Sequence, residues 1–365
     1  MRVAYLGRAG HTLPSLRVLL NLLAGECEVV LYSEVPFHQE WETLQHSYRV
    51  RRVVGKRWPR RVRDVLLLLT LIRDHLRNRF DVVHAHSTYP AGLVAVVLQR
   101  LFGVPAVVGL DAAEGSAFPD IGFGDLLSRN RARLNRWVVN RVRAVFALTE
   151  YQRKEVVRNL LITRMIAVIP RGVDLDRFYP QPPATKQRTL TILSVGYLNP
   201  IKDPGLLLHA FRFIANEREA RLIVVGRDYQ DGAAARLAEE LGLSGCVRFE
   251  GYVSYEQMPA YYHTADVLLH TSRYESQGIA IAEAMASGVV VVGTNVGLVS
   301  DLAPTCCVAV EDAQPQALAR AVIELCSDEH RFRAIQNSAA EWSRKNNVAV
   351  TAERLMKLYK ELIPS

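Results

Sequence analysis

The apolar positions of this 365-residue chain fall into short continuous runs, separated by longer stretches in which they recur every three to four residues. The runs at 3–6, 29–32, 82–84, 107–110, 144–149 and 166–169 read as strands. Between them the helical period predicts helices over 13–23, 62–77, 91–101 and 126–140. A strand that is apolar at every position is buried on both faces, so this alternation predicts a parallel sheet with helices on each side. The rhythm pauses at 170–184, which holds Pro170, Gly172, Pro180, Pro182 and Pro183, and then restarts. In the second half strand 191–195 ends in Gly196, strand 221–225 in Gly226, and strand 247–249 runs on to Gly251. Helices are predicted over 204–215, 233–241 and 256–264, and strand 267–270 follows.

The expected organisation is therefore α/β, with a Rossmann-like domain over 1–172, a second over 173–345, and a C-terminal helix over 346–365 expected to cross back to the first domain. Two such halves facing one another place a ligand cleft at the carboxyl ends of their sheets.

One stretch, 273–295, carries candidate chemistry. It brings Glu275 and Glu283 around a turn, Ser276 and Gly278 open a helix over 279–287, Gly288 stops it, and strand 289–292 follows. The first N–H groups of such a helix are unpaired and suit a phosphate or sugar oxygen. Ionised glutamates accept from sugar hydroxyls, so the arrangement suits a sugar nucleotide.

Length agrees with two domains. The longest apolar run, 65–72, is far short of the ~20 residues that span a bilayer, and the chain opens directly on a strand. Five cysteines without metal spacing point to thiols buried in a reducing, cytoplasmic setting. The net charge of +8 is uneven. Residues 1–172 hold 26 Lys and Arg against 14 Asp and Glu, residues 173–365 hold 19 against 23, and the halves carry +12 and −4. Arg49, Arg51, Arg52, Lys56, Arg57, Arg60, Arg61 and Arg63 surround Trp58, and Arg129, Arg131, Arg133, Arg136, Arg141 and Arg143 surround Trp137. Such clusters suit a solvated face, an acidic acceptor, nucleic acid or an anionic membrane. The first turn has only Gly7-Arg8-Ala9-Gly10 in place of G-x-G-x-x-G, which weakens a dehydrogenase reading.

Several segments, in order, resemble the large family of retaining GT-B glycosyltransferases (group 1, family 4). Glu275 and Glu283, eight positions apart, and 283–288 match the family's paired-glutamate signature and its continuation. Ser194-Val195-Gly196 with Lys202 resembles its phosphate strand, 247–253 its nucleobase turn, and 149–152 and 168–174 its approach to the hinge. The resemblance implies that Glu283 binds the donor ribose and Glu275 the hydroxyls of the transferred sugar. Lys202 would neutralise the departing diphosphate, and the backbone N–H groups of Gln277, Gly278 and Ile279 would meet sugar or phosphate oxygens, with Ser276 beside them in the donor site. Gly196 and Tyr197 would border the phosphates, and Tyr252 and Val253 the base. A fixed ammonium and a helix N-terminus are the preorganised electrostatics that stabilise a leaving nucleoside diphosphate.

Position 197, where the family carries arginine, is Tyr197, so one cation is missing; Arg171, Arg227 and Arg273 are candidate substitutes. His86, at the end of a strand, and Asp111 are the candidates for acceptor-side chemistry, with Gly7, Arg8, Gly10 and His11 lining the acceptor side. No carboxylate stands out as a nucleophile for double displacement, which favours a front-face route. The expectation is a cytoplasmic enzyme, with a membrane-peripheral location suggested by the basic half. It transfers a hexose from a UDP or GDP sugar to a saccharide or lipid-linked acceptor without metal or other cofactor, in surface polysaccharide or glycolipid assembly. Nucleic acid is not an expected partner. The alternatives are a nucleotide-sugar epimerase or glycoside phosphorylase of the same architecture, and a basic nucleic-acid-binding or structural protein.

Overall fold

The computed structural model describes residues 1–7, 14–33, 46–53, 59–181 and 189–363. The chain divides into two compact units, Met1–Pro170 with Val348–Ser365, and Arg171–Asn347.

The first unit is built on seven strands, β1 (Arg2–Gly7), β2 (Glu28–Ser33), β3 (Arg49–Arg52), β4 (Val82–Ala85), β5 (Ala106–Leu110), β6 (Ala144–Ala147) and β7 (Ala167–Val168). They pair in parallel in the order β3-β2-β1-β4-β5-β6-β7. Because side chains alternate across a strand, the sheet feeds two cores. On β1, Ala4 and Leu6 join one cluster, while Val3 and Tyr5 join the other. Helix Val348–Leu362 belongs to this second cluster, where Leu355, Met356 and Tyr359 pack beside Leu16 and Leu20 of helix Pro14–Glu26.

The second unit has six strands, β8 (Leu190–Val195), β9 (Ala220–Val225), β10 (Val247–Gly251), β11 (Val267–His270), β12 (Val290–Thr294) and β13 (Val308–Val310). Their order is β10-β9-β8-β11-β12-β13, and every pair is parallel. The same alternation sends Leu222 and Val224 to one core and Ile223 and Val225 to the other. In each sheet the chain works outward from a central strand and then crosses to its other side, between β1 and β4 and between β8 and β11. These are the switch points at which open parallel sheets form a crevice at their carboxyl ends.

Most expected elements are present, with shifted ends. Strand 144–149 stops at Ala147, because Thr149 instead caps helix Glu150–Leu160 by accepting from the Gln152 N–H at 3.1 Å. Expected helix 126–140 begins at Arg129, behind two short 3₁₀ turns at Pro119–Ile121 and Asp125–Leu127. Two strands are additions. The edge strand β3 reads Arg-Val-Arg-Arg and is hidden inside a basic cluster, and β13 is only three residues long.

Candidate functional site

At the second switch point, the segments that follow β8 and β11 are laced together. The Arg273 N–H donates to the Ile201 carbonyl at 2.8 Å, and Thr271 Oγ1 donates to the carbonyls of Lys202 and Asp203 at 2.9 and 3.2 Å. Asp203 then caps helix Pro204–Glu217 through the Leu206 N–H at 3.0 Å. The result is that Lys202 Nζ and Glu275 Oε1, 73 residues apart in sequence, form a direct ion pair. The same oxygen accepts from Ser272 Oγ at 2.8 Å and lies 3.2 Å from His270 Nε2. Burial acting alone would raise the Glu275 carboxyl. The Lys202 ammonium and His270 outweigh it and hold the group well below the usual carboxylate range. A recess beside this cluster is lined by Gly196, Tyr197, Lys202, His270, Thr271 and Ser272.

Glu283 is treated in the opposite way. It lies buried on helix Ile279–Ala286, accepts from Tyr262 Oη at 2.8 Å, and burial pushes its carboxyl up to about 7 against the lowering effect of that hydrogen bond. Gly278 stands at the N-cap of the helix, with no side chain capping it, while the half-buried Ser276 and Ile279 flank the turn. The donor contact expected of Gln277 uses its backbone N–H, and its side chain is engaged separately. Its side-chain amide accepts from the Arg171 N–H and donates to the Arg171 carbonyl, both at 2.7 Å, so it clasps a backbone segment. At the ends of β8 and β10, Tyr197 and Tyr252 are 46% and 58% exposed, and Val253 is partly buried against the core.

In the first unit, His86 and Asp111 follow β4 and β5 and pair directly through His86 Nε2 and Asp111 Oδ2. His86 Nδ1 faces Tyr5 Oη of β1 at 3.1 Å. Gly7 ends β1, while Arg8, Gly10 and His11 lie outside the described residues. Beside the dyad is a residue that sequence reasoning missed, Glu114. It is fully buried, its Oε2 accepts from the Ala112 N–H at 3.0 Å, and its Oε1 has no hydrogen-bond partner among the described residues. Burial, reinforced by Asp125 and Asp111, pushes its carboxyl up to about 8. No spacing in the sequence signals this; a glutamate in a Gly- and Ala-rich turn reads as surface. His270 and Ser272 were missed likewise, as ordinary strand-end residues.

The basic clusters are partly neutralised. Arg49 faces Glu28 at 3.4 Å, Arg51 faces Asp74 at 3.6 Å and Arg131 faces Asp125 at 3.8 Å, whereas Arg129, Arg133, Arg136, Arg141 and Arg143 are exposed. Lys56, Arg57 and Trp58 lie outside the described residues, as do the side chains of Arg52, Arg60 and Arg61. All five cysteines are free thiols; Cys27, Cys306 and Cys307 are buried, while Cys246 and Cys326 are only partly so. Among the described residues no helix is long and apolar enough to cross a membrane.

Two Rossmann-like units in one chain, each with polar side chains gathered at its switch point, are the architecture of the GT-B fold. Residues 176–342 match the family model described as glycosyl transferases group 1, and residues 16–177 match that described as glycosyltransferase family 4. The chain belongs to this family of glycosyltransferases. The D-inositol 3-phosphate glycosyltransferase of Thermobispora bispora is 29% identical over 315 residues, covering 78% of this chain and 72% of that protein. Its counterpart from Corynebacterium jeikeium is 29% identical over 309 residues, covering 78% and 73%. Among solved structures, sucrose-phosphate synthase from Thermosynechococcus elongatus superposes with a TM-score of 0.84 at 20% identity, over 99% of this chain and 98% of that one. Anabaena HepE in complex with UDP-glucose gives 0.78 at 18% identity, over 99% and 100%.

Proposed function

We propose that this glycosyltransferase moves a hexosyl unit from a nucleoside-diphosphate sugar to a saccharide or lipid-linked acceptor, with retention at the anomeric carbon and without a metal ion. The observation that carries the reading is the Lys202–Glu275 pair with His270 and Ser272 at the second switch point. A buried, fully ionised carboxylate suits hydroxyl recognition, and an ammonium beside it suits a departing phosphate. In the step envisaged, the acceptor hydroxyl oxygen bonds to the anomeric carbon as the bond from that carbon to the diphosphate oxygen breaks. The diphosphate leaves with the electron pair and takes the acceptor's proton. Glu275 Oε1 already accepts from Lys202 and Ser272, which disfavours its use as a covalent nucleophile and supports the front-face route.

The test is a panel of UDP, GDP and ADP sugars with and without acceptors, read by product formation and the anomeric signal in NMR. UDP-glucose leads the donors because a fold neighbour was crystallised with it, and inositol 3-phosphate, a polyol outside the saccharide and lipid-linked classes, is included among the acceptors because of the relatives' names. Transfer with retention, unchanged by EDTA, is expected. Turnover of donor alone into an epimer, or dependence on added Mg²⁺, would overturn it.

We further propose a cytoplasmic, membrane-peripheral setting in surface polysaccharide or glycolipid assembly, and the membrane part of it is supported by the first unit's surface. Helix Arg60–Arg77 presents Val65, Leu69 and Leu76, 54, 54 and 70% exposed, along one helical stripe. With the exposed arginines of helix Arg129–Arg141, this suits an anionic bilayer. Co-sedimentation with phosphatidylglycerol vesicles but not with phosphatidylcholine vesicles is expected, and absence of binding to the anionic vesicles would remove the membrane from the reading.

A further inference from the structure

The ends of β8 and β9 approach so closely that a side chain is excluded between them. A Cβ placed on Gly226, whose φ is +151°, would lie 1.8 Å from the Gly196 carbonyl oxygen. Beyond this contact the two chains stay zipped together, with the Leu198 N–H donating to the Arg227 carbonyl at 2.9 Å and the Tyr229 N–H to the Leu198 carbonyl at 3.0 Å. Arg227 is thereby delivered to the edge where Tyr197 stands. Tyr197 packs edge-on against Tyr229, ring centroids 5.3 Å apart, and the Arg227 guanidinium sits 5.8 Å from the centroid of the Tyr252 ring.

Along the carboxyl edge of this sheet the order of chemistry is therefore an exposed aromatic ring after β10, a guanidinium after β9, a neutral phenol and Lys202 after β8, and His270 with Glu275 after β11. A nucleoside-diphosphate sugar has the same order, a flat base, two phosphates and a polyol. Lys202 shares its charge with Glu275, so the two phosphates call for a further cation. The Arg171 backbone is held by Gln277 and its side chain is buried. Arg227 is exposed, and among the described residues no carboxylate pairs with it. We propose that Arg227 is a second diphosphate-binding cation of this chain beside Lys202, supplied from β9 in place of an arginine at position 197. The inference rests on the nucleotide-sugar reading above. A guanidinium matches two phosphate oxygens at once, which neither the Tyr197 hydroxyl nor the Lys202 ammonium does.

The experiment measures Kd by calorimetry for UDP, GDP and ADP on the wild-type chain, and then takes the tightest of the three together with its unphosphorylated nucleoside. Arg227→Met is expected to weaken the diphosphate by about 10–100-fold, the range for one charge-assisted contact, and to leave the nucleoside unchanged. Tyr197→Arg added to Arg227→Met is expected to restore most of the lost affinity. An Arg227→Met variant that binds the diphosphate like the wild type would overturn the assignment. So would equal losses for diphosphate and nucleoside, which would mean that Arg227 only supports the Tyr252 ring. A wild-type chain that binds none of the three diphosphates would instead bring down the nucleotide-sugar reading, and this inference with it. Because Arg227 is exposed, an unchanged melting temperature is expected and verifies that the variant is folded.

Discussion

Three buried glutamates of this chain hold protons in opposite ways, and the neighbours of each decide which. Glu275 has an ammonium and an imidazole against it and stays ionised, whereas Glu283 has a phenol to set against its burial, and Glu114 has backbone N–H groups outweighed by burial and by Asp125 and Asp111. For Glu275 the depressed folded value means stability that is present above its unfolded value and lost only as pH falls through the acid range. For Glu114 the sign reverses. Its folded value is raised from 4.5 to about 8, so its stabilising contribution is complete below 4.5 and is lost as pH rises through about 8. Glu114→Gln mimics the neutral acid at every pH. The stability difference, variant minus wild type, should therefore grow by about 1.4 kcal/mol per pH unit between pH 5 and 8 and level off above. Amide exchange in β4 and β5 at several pH values measures it, and a pH-independent difference would refute the buried neutral acid. The candidate pair Glu275 and Glu283 and the candidate Lys202 stand out in the sequence through the resemblance to a family pattern, which the fold then brings together as far as Lys202 and Glu275 are concerned. Glu114, His270 and Ser272 do not, because what distinguishes them is which groups the fold brings near, and no periodicity encodes that.

Short elements carry the site, and glycine positions make them fit. Gly297 opens helix Gly297–Leu302 with φ +55°, and a Cβ there would lie 2.6 Å from the Gln277 carbonyl oxygen and 2.7 Å from the Glu275 Cβ. The Leu298 N–H donates to that same carbonyl at 2.9 Å, so this helix start sets the position of the Glu275 turn. Gly297→Ala combines a left-handed backbone cost with overpacking, and a loss of about 2–4 kcal/mol from the second unit is expected. Gln277→Ala removes two 2.7 Å hydrogen bonds to Arg171 and should cost about 2–3 kcal/mol. Urea unfolding followed by circular dichroism checks both, and a Gly297→Ala chain as stable as the wild type would show that the turn has room to move. At this scale long apolar runs were readable, since a parallel strand is buried on both faces. The strand β3 was not. An edge strand needs only one covered face, so Arg49 and Arg51 share the exposed one and only Val50 between them is left as an apolar trace.

At the scale of the molecule, sequence order and unit membership part company at the C-terminus, where helix Val348–Leu362 belongs to the first unit while the residues just before it belong to the second. The sequence leads one to expect a C-terminal helix that returns to the first domain, and its apolar face packs into the second core of that unit. Tyr359 is wholly buried there, its hydroxyl bonded to His84 Nδ1 and its ring edge-on to that imidazole at 5.8 Å. His84 in turn lies 4.5 Å from the Tyr5 ring, so one side chain of the last helix reaches both β1 and β4, the strands of the first switch point. Deleting a buried aromatic costs about 3–5 kcal/mol, whereas removing its hydroxyl alone costs about 1 kcal/mol. Tyr359→Ala should therefore lower the opening free energy of β1, β2 and β4 amides by the larger amount and Tyr359→Phe by the smaller, with β8 to β12 unchanged in both. Hydrogen exchange resolved by peptide makes the comparison within a single molecule. An equal loss of protection in both units would mean that the chain unfolds as one cooperative body, and that the two cores are not energetically separate.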